Sequence, residues 1–229
     1  EISSRWRSNK PTMVFAGPGN NGADALGAAR LLFERGFRPE VFLFNIGGDK
    51  LSTDCAASRD RMLAEVPDII FHEVKDRFSM PKITTNHLVI DGLFGSGLRE
   101  ELQGGFKSLV QYINDENATV VSIDLPSGMF GDWNPQIVNR NTIHATLTLA
   151  IQFPRISFFI PDNAELIGEW KIIDIGLSEK AIATSPANFC LVEQRDVHRR
   201  LRHRKEFASK ADFGSGILYA GSYGMMGAA

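Results

Sequence analysis

Carboxylate, amide and hydroxyl side chains follow three apolar segments of the sequence, and together they could perform acid/base chemistry or bind a hard cation. Asp91 and Asp124 each end a run of Val and Ile residues that is typical of a buried strand. Asn21 lies in a glycine-rich stretch after a similar run, and Ser127 comes three residues after Asp124. Because ligands bind outside the carboxyl ends of parallel strands, we expect these four side chains to converge at one sheet edge. A single Asp at such a position is equally well explained as a helix cap or a turn residue, but two of them beside a glycine-rich loop favour a site.

The first glycine-rich loop matches a phosphate-binding pattern. Gly17, Gly19 and Gly22 fit G-x-G-x-x-G, the pattern of dinucleotide-binding turns. The apolar run 13–16 before the loop predicts a strand, and the run 25–33 after it predicts a helix. This order of elements directs backbone N–H groups at an anionic ligand. A tight turn without a ligand would use the same glycines, since they supply positive φ angles.

Polar side chains in two glycine-rich loops extend this interpretation. The first loop carries more polar side chains than a turn requires, namely Asn20, Asn21 and Asp24. They suit hydrogen bonding to a polar ligand or oxygen ligation of a cation. Residues 92–99 form a second glycine-rich loop, whose backbone amides could bind a phosphate beside Arg99. A flexible turn with a solvated Arg99 is the alternative.

Short apolar segments alternate with amphipathic ones along most of the chain. The strand candidates are residues 13–16, 41–44, 69–71, 87–91, 119–124, 145–151 and 170–175. The helix candidates are residues 25–33, 54–64 and 106–114. This alternation predicts an α/β fold of the Rossmann-like, three-layer αβα kind, with a mostly parallel sheet covered on both faces.

Length and composition describe an ordinary globular protein. The chain has 229 residues, 43% of them hydrophobic and 23% charged, with a formal net charge of −2. Nothing in that balance points to nucleic acid or to a membrane surface, and no apolar run reaches the roughly 20 residues that span a bilayer. The two cysteines lie far apart, which favours a reducing, cytoplasmic compartment over a disulfide framework. The five histidines show no zinc-binding spacing.

The C-terminal part has a different character. The basic run 195–205, which includes His198 and His203, is interpreted as a solvated connector. Residues 216–221 then predict a strand, and residues 222–229 a glycine-rich turn leading into a helix. We therefore predict a first domain over residues 1–194, a basic connector over 195–212, and the truncated start of a second α/β domain over 213–229. The chain is expected to be a fragment.

Three motifs in order resemble a known family. They are Ala16-Gly-Pro-Gly-Asn-Asn-Gly22 with Asp24, Asp91-Gly-Leu-Phe-Gly-Ser-Gly-Leu98 and Asp124-Leu-Pro-Ser-Gly128. They look like the signature set of the YjeF N-terminal family, the NAD(P)H-hydrate epimerases, and the resemblance runs from about residue 13 to residue 176. The tail 213–229 resembles the start of the ribokinase-like NAD(P)H-hydrate dehydratase domain. Together the two parts resemble the bifunctional NAD(P)H-hydrate repair enzymes.

The resemblance implies an activity, a substrate and a cation. The activity is epimerisation of the R and S forms of hydrated NADH or NADPH (NAD(P)HX), without nucleic-acid or membrane partners and in a homo-oligomer. Potassium would be ligated by Asn21, Asp91 and Ser127, whose oxygen donors suit a hard cation. ADP or ATP would serve only the missing dehydratase domain. The residues implied to contact substrate are Asn20, Asn21, Gly22, Ala23, Asp24, Gly95, Ser96, Gly97, Leu98, Arg99, Glu100, Glu101 and Asp124.

Asp124 is the candidate general acid and base, because it lies at the end of a strand beside the other loops. Ala23 and Ala25 depart from the family, which usually has Gly at both positions, and Ala23 adds a Cβ where backbone would meet substrate. Two alternative functions stay open. An NAD-dependent dehydrogenase would carry Asp or Glu at the end of its second strand, where this chain has Asn45. A non-catalytic nucleotide-binding module is the other.

Overall fold

The computed structural model describes residues 1–132, 141–201 and 204–228 and divides the chain into two compact units, Glu1–Ser178 and Glu179–Ala229. The strands of the first unit are β1 (Thr12–Ala16), β2 (Pro39–Phe44), β3 (Ile70–Val74), β4 (Leu88–Gly92), β5 (Thr119–Ile123), β6 (Leu147–Ile151) and β7 (Glu169–Ile173). Its α-helices are α1 (Ile2–Arg5), α2 (Asn20–Glu34), α3 (Thr53–Glu65), α4 (Gly104–Asp115) and α5 (Ala164–Ile167). Within the described ranges, no helix is long and apolar enough to cross a membrane.

The seven strands form one sheet in the order β3-β2-β1-β4-β5-β6-β7. Every neighbouring pair is parallel, so the predicted mostly parallel sheet is entirely parallel over the described residues. The strand order reverses between β1 and β4, which is the switch point where open α/β sheets bind their ligands. The loops after β1, β4 and β5 therefore lie side by side at the carboxyl edge.

Both faces of the sheet are covered, which explains why the strands are continuous apolar runs. In β1, Val14 packs in a core with Leu26 of α2 and Met62 of α3. Its neighbour Phe15 belongs to a second core with Leu109 of α4. Successive side chains of a strand point to opposite faces, so the two cores lie on opposite sides of the sheet. This confirms the predicted α/β fold with helices on both faces.

The largest difference from the sequence prediction concerns the start of α2. Residues 17–24 were expected to form a turn before a helix at Ala25, but α2 already begins at Asn20, with Gly19 at its N-cap. Asn20 to Asp24 thus belong to the first turns of a helix rather than to a loop. Asn and Asp are common both in turns and at helix ends, so their presence in the sequence does not distinguish a turn from the first turn of a helix.

The second unit contains α6 (Glu179–Thr184), α7 (Gln194–Arg200) and 3-10 turns at Lys210–Phe213 and Met226–Ala228. The strand predicted over residues 216–221 does not form, because a strand requires a hydrogen-bonded neighbour. Ile217 and Tyr219 are fully exposed there. The ribokinase-like character and the predicted boundaries at residues 194 and 212 stay predictions. Residues 202, 203 and 229 of the predicted connector and tail lie outside the described residues.

Candidate active site at the carboxyl edge of the sheet

Asp124 occupies a strained turn directly after β5. Its φ angle is 63°, in the left-handed region, and the N–H of Leu125 donates to the carbonyl of Ile123 at 2.8 Å. A hydrogen bond between residues i and i+2 around a positive φ defines a rare γ-turn that costs conformational energy. The Asp124 N–H donates to Leu149 O of β6 at 2.9 Å. Strain of this kind collects at functional sites, and here it sets the direction of the predicted catalytic side chain.

Two different loops hold the carboxylate of Asp124. The N–H of Ser96 donates to Oδ2 at 3.2 Å, and Nη2 of Arg155 donates to Oδ1 at 3.0 Å. Ser96 was predicted from the sequence as a site residue, whereas Arg155 was not. The available signal was its position four residues beyond β6, whose carboxyl end lies at the same edge.

Gly95 brings Asn21 and Asp124 together. A Cβ atom added to Gly95 would lie 3.1 Å from Asp124 Oδ2 and 3.3 Å from Cβ and Cγ of Asn21. Both polar atoms of the Asn21 carboxamide are buried and have no hydrogen-bond partner among the described residues. Buried polar groups are normally hydrogen-bonded, so an unpaired amide beside a carboxylate indicates a ligand-binding position.

Hydrogen bonds link Asp91 and Ser127 at the same edge of the sheet. Ser127 Oγ donates to Asp91 Oδ1 at 2.5 Å, and Ser127 N–H donates to Oδ2 at 2.8 Å. Ser122 Oγ also donates to Oδ2, at 2.8 Å, while Phe94 N–H donates to Ser127 Oγ at 2.9 Å. The network ties the loop after β4 to the loop after β5. Asp91 lies one residue before the end of β4 and Asp124 one residue after the end of β5, whereas both were expected to be the last residue of a strand.

The protein environment raises the pKa of two carboxyl groups. Burial raises the pKa of Asp91, and hydrogen bonds from Ser127 and Ser122 oppose that shift. Loss of solvation also raises the pKa of Asp24, with smaller contributions from the negative charges of Asp124 and Asp54. Asp24 therefore lies within electrostatic reach of Asp124 while its side chain remains exposed. The raised pKa of Asp24 suits a group that donates a proton.

The glycines of the first loop have unequal roles. A Cβ on Gly17 would lie 1.8 Å from Leu93 O, and a Cβ on Gly22 would lie 1.8 Å from Gly17 O. A Cβ on Gly19 would meet nothing within 4 Å. Gly17 thus lets the loop after β1 pack against the backbone of the loop after β4. Gly22 lets the first turn of α2 pack against the backbone of the loop after β1. Both roles are structural.

The remaining predicted residues surround this cluster. Gly22 and Ala23 are buried in α2, whereas Asn20, Gly97, Arg99, Glu100 and Glu101 are exposed, with Leu98 half-buried. The turn of the second loop is closed by a hydrogen bond from Leu98 N–H to Gly95 O at 3.2 Å. The structure therefore joins Asn21, Gly95, Ser96 and Asp124 in one cluster and leaves Arg99, Glu100 and Glu101 on its outer side.

A parallel seven-stranded sheet with polar loops converging at its switch point defines an open, doubly wound α/β protein, a class that binds ligands at that point. The family model described as YjeF-related protein N-terminus matches residues 1–157. The chain belongs to this family.

Curated relatives fall into two groups. A bifunctional NAD(P)H-hydrate repair enzyme Nnr of Coxiella burnetii is 28% identical over 99% of this chain and 45% of its own length. An NAD(P)H-hydrate epimerase of Cenarchaeum symbiosum is 30% identical over 79% of this chain and 81% of its own length. This chain therefore spans less than half of its bifunctional relative and most of the shorter one.

A crystal structure of yeast ynu0 has the same fold. Its TM-score is 0.57 at 18% identity, over 84% of this chain and 79% of the yeast chain.

Proposed function

We propose that this chain catalyses the epimerisation of R and S NAD(P)HX at C6 of the hydrated nicotinamide ring. The observation that carries the proposal is the position of Asp124, a shielded carboxylate on a strained turn beside the unpaired Asn21 amide. Family membership and the names of the relatives support the same reaction.

The chemistry requires proton exchange at the C6 hydroxyl. A carboxylic acid protonates the hydroxyl, the C6–O bond breaks, and water leaves while the ring nitrogen lone pair stabilises the flat cation. Water then adds to the opposite face, a new C6–O bond forms, and a carboxylate accepts the released proton. Asp124 is the proposed acid/base group, and Asp24 is a second carboxyl whose raised pKa suits proton donation.

The Asp124→Asn variant tests this assignment. We expect epimerisation to fall by about 10²- to 10⁴-fold, the usual range for one positioned acid/base group, because Asn cannot exchange the proton. The assay supplies mixed R and S hydrates, consumes only S with a separate dehydratase, and follows the loss of R after subtraction of the uncatalysed rate. Retention of the full rate in this variant would remove Asp124 from the acid/base role.

Potassium fits part of this edge. The residues that would hold it are Asn21, through its unpaired amide oxygen, together with Asp91 and Ser127. A bound potassium ion would supply a fixed positive charge and no redox chemistry. If the proposal is right, potassium chloride raises the Tm above that in choline chloride at equal ionic strength, since a ligand of the folded state stabilises it. The same comparison in Asn21→Ala should show a smaller difference, and equal shifts in both proteins would count against the site.

The position of Asn45 argues against an NAD-dependent dehydrogenase. Its Nδ2 donates to Glu73 Oε1 at 2.7 Å and to Gly48 O at 3.0 Å, while its Oδ1 accepts from Lys50 N–H at 3.1 Å. The side chain is buried and already fully used in the loop after β2. It is therefore a structural residue at the position where such enzymes hold a ribose.

We further propose that a longer parent chain would add a dehydratase reaction with ADP or ATP, since this chain is similar to the first part of a bifunctional NAD(P)H-hydrate repair enzyme. The homo-oligomer and the cytoplasmic location stay predictions.

A further inference from the structure

Each oxygen of the Asp124 carboxylate has its own donor, and only one donor is charged. Ser96 N–H holds Oδ2 at 3.2 Å, and the Arg155 guanidinium holds Oδ1 at 3.0 Å. The Asp124 side chain is 11% exposed and the Arg155 side chain 34% exposed. A charge-assisted hydrogen bond that is largely shielded from solvent is stronger than a surface ion pair.

The backbone after β6 directs Arg155 towards this site. Gln152 has a φ angle of 60°, and Phe153 N–H donates to Ile151 O at 2.7 Å, which is the same kind of γ-turn as at Asp124. A 3-10 helix, Ile156–Phe159, begins directly after Arg155, and Phe158 N–H donates to Arg155 O at 3.0 Å. Two adjacent strands thus end in matching strained turns, and an ion pair joins the segments that follow them.

We propose that Arg155 is the positioning residue of Asp124: its guanidinium fixes the orientation of the carboxylate and offsets the repulsion from Asp24. This inference rests on the proposed epimerase activity. Ser96 N–H alone would leave the carboxylate free to rotate about one hydrogen bond. Because a misplacement of about 1 Å costs on the order of 10²-fold in rate, loss of the guanidinium should lower kcat rather than weaken substrate binding.

The test compares Arg155→Met and Arg155→Lys with the wild-type protein in its full length. We expect Arg155→Met to lower kcat by about 10- to 100-fold and to leave KM within about threefold. Arg155→Lys should recover most of kcat, because Lys restores the positive charge, although it lacks the planar guanidinium group. Arg61→Met is the matched control, since among the described residues Arg61 forms an ion pair only with Glu65 on the surface of α3, and its loss should leave both constants unchanged.

Combining Arg155→Met with Asp124→Asn separates positioning from direct action on substrate. If Arg155 acts through Asp124, it has no further effect once Asp124 is neutral, so the double variant should match Asp124→Asn. A rise in KM at unchanged kcat, a full kcat in Arg155→Met, or independent effects in the double variant would overturn the inference. Where Arg155→Met does not fold, Arg155→Gln carries the same comparison.

Failure of the proposed activity gives a different result, namely a wild-type protein without epimerase activity. The ion pair is then judged by the Tm values of the wild-type protein, Arg155→Met, Asp124→Asn and the double variant. Non-additive shifts would uphold the link between Arg155 and Asp124, and additive shifts would remove it.

Discussion

The contact of Gly95 with two site residues allows a graded perturbation of the carboxylate. In Gly95→Ala, the new Cβ would lie 3.1 Å from Asp124 Oδ2 and 3.3 Å from the Asn21 side chain. Non-bonded heavy atoms prefer separations of about 3.5–4.0 Å. The methyl group must therefore displace the carboxylate, or the loop that carries it, by about 0.3–0.5 Å.

That displacement sets the expected loss of kcat/KM. If a shift of about 1 Å costs on the order of 10²-fold, a shift of a third to a half of that distance should cost about 5- to 10-fold in kcat/KM. The free energy of unfolding should change by less than about 1 kcal/mol, because Ala restricts the unfolded chain by roughly the same amount as the crowding costs.

The assay is the epimerase measurement with mixed hydrates, run together with thermal unfolding. Gly105→Ala is the control, because its Cβ would meet nothing within 4 Å and Gly105 lies in α4. We expect Gly105→Ala to keep full activity. If Gly95→Ala is as active as this control, the proposed coupling between the loop after β4 and Asp124 is wrong. A large loss of stability without a specific loss of activity would refute the displacement of the carboxylate as well.

Three further predictions concern stability and reactivity. Gly17→Ala should lose about 3 kcal/mol, or roughly 6–12 °C in Tm, because its Cβ would overlap Leu93 O. Gly19→Ala should lose only about 1 kcal/mol or less, the cost of Ala at an N-cap, since its Cβ would meet nothing within 4 Å. Equal losses would contradict the packing role of Gly17. Asp24→Asn should raise Tm at neutral pH, because a carboxyl whose pKa is raised on folding destabilises the folded state above that pKa, and the gain should vanish as pH falls below the unfolded value of about 3.9. A gain that persists in acid would refute this cause. Burial raises the pKa of Cys55 to about 11, so a thiol reagent at neutral pH should label only the exposed Cys190, as mass spectrometry of labelled peptides would show.

The sequence by itself determined the layers of the fold. Val14 and Phe15 are both apolar because the strand is covered on both faces, so a continuous apolar run predicts a buried parallel strand without knowledge of its neighbours. Polar and glycine-containing segments after such runs located the carboxyl-edge segments that carry Asn21, Gly95 and Asp124, although Asn21 proved to lie in the first turn of α2.

Only the tertiary structure decided how those loops cooperate. The pairing of Arg155 with Asp124 joins residues 31 apart in sequence, and the raised pKa of Asp24 depends on packing and charges brought together by the sheet order. The first turn of α2 lies close to the end of β4, where a Cβ added to Gly92 would lie 3.1 Å from Asn21 O. The apolar run around Ile217 was predicted to form a strand, but it stays irregular and exposed. A local pattern specifies which segments can form strands, but a strand forms only where a neighbouring strand pairs with it. A site forms only where side chains from several segments meet at one edge of the sheet.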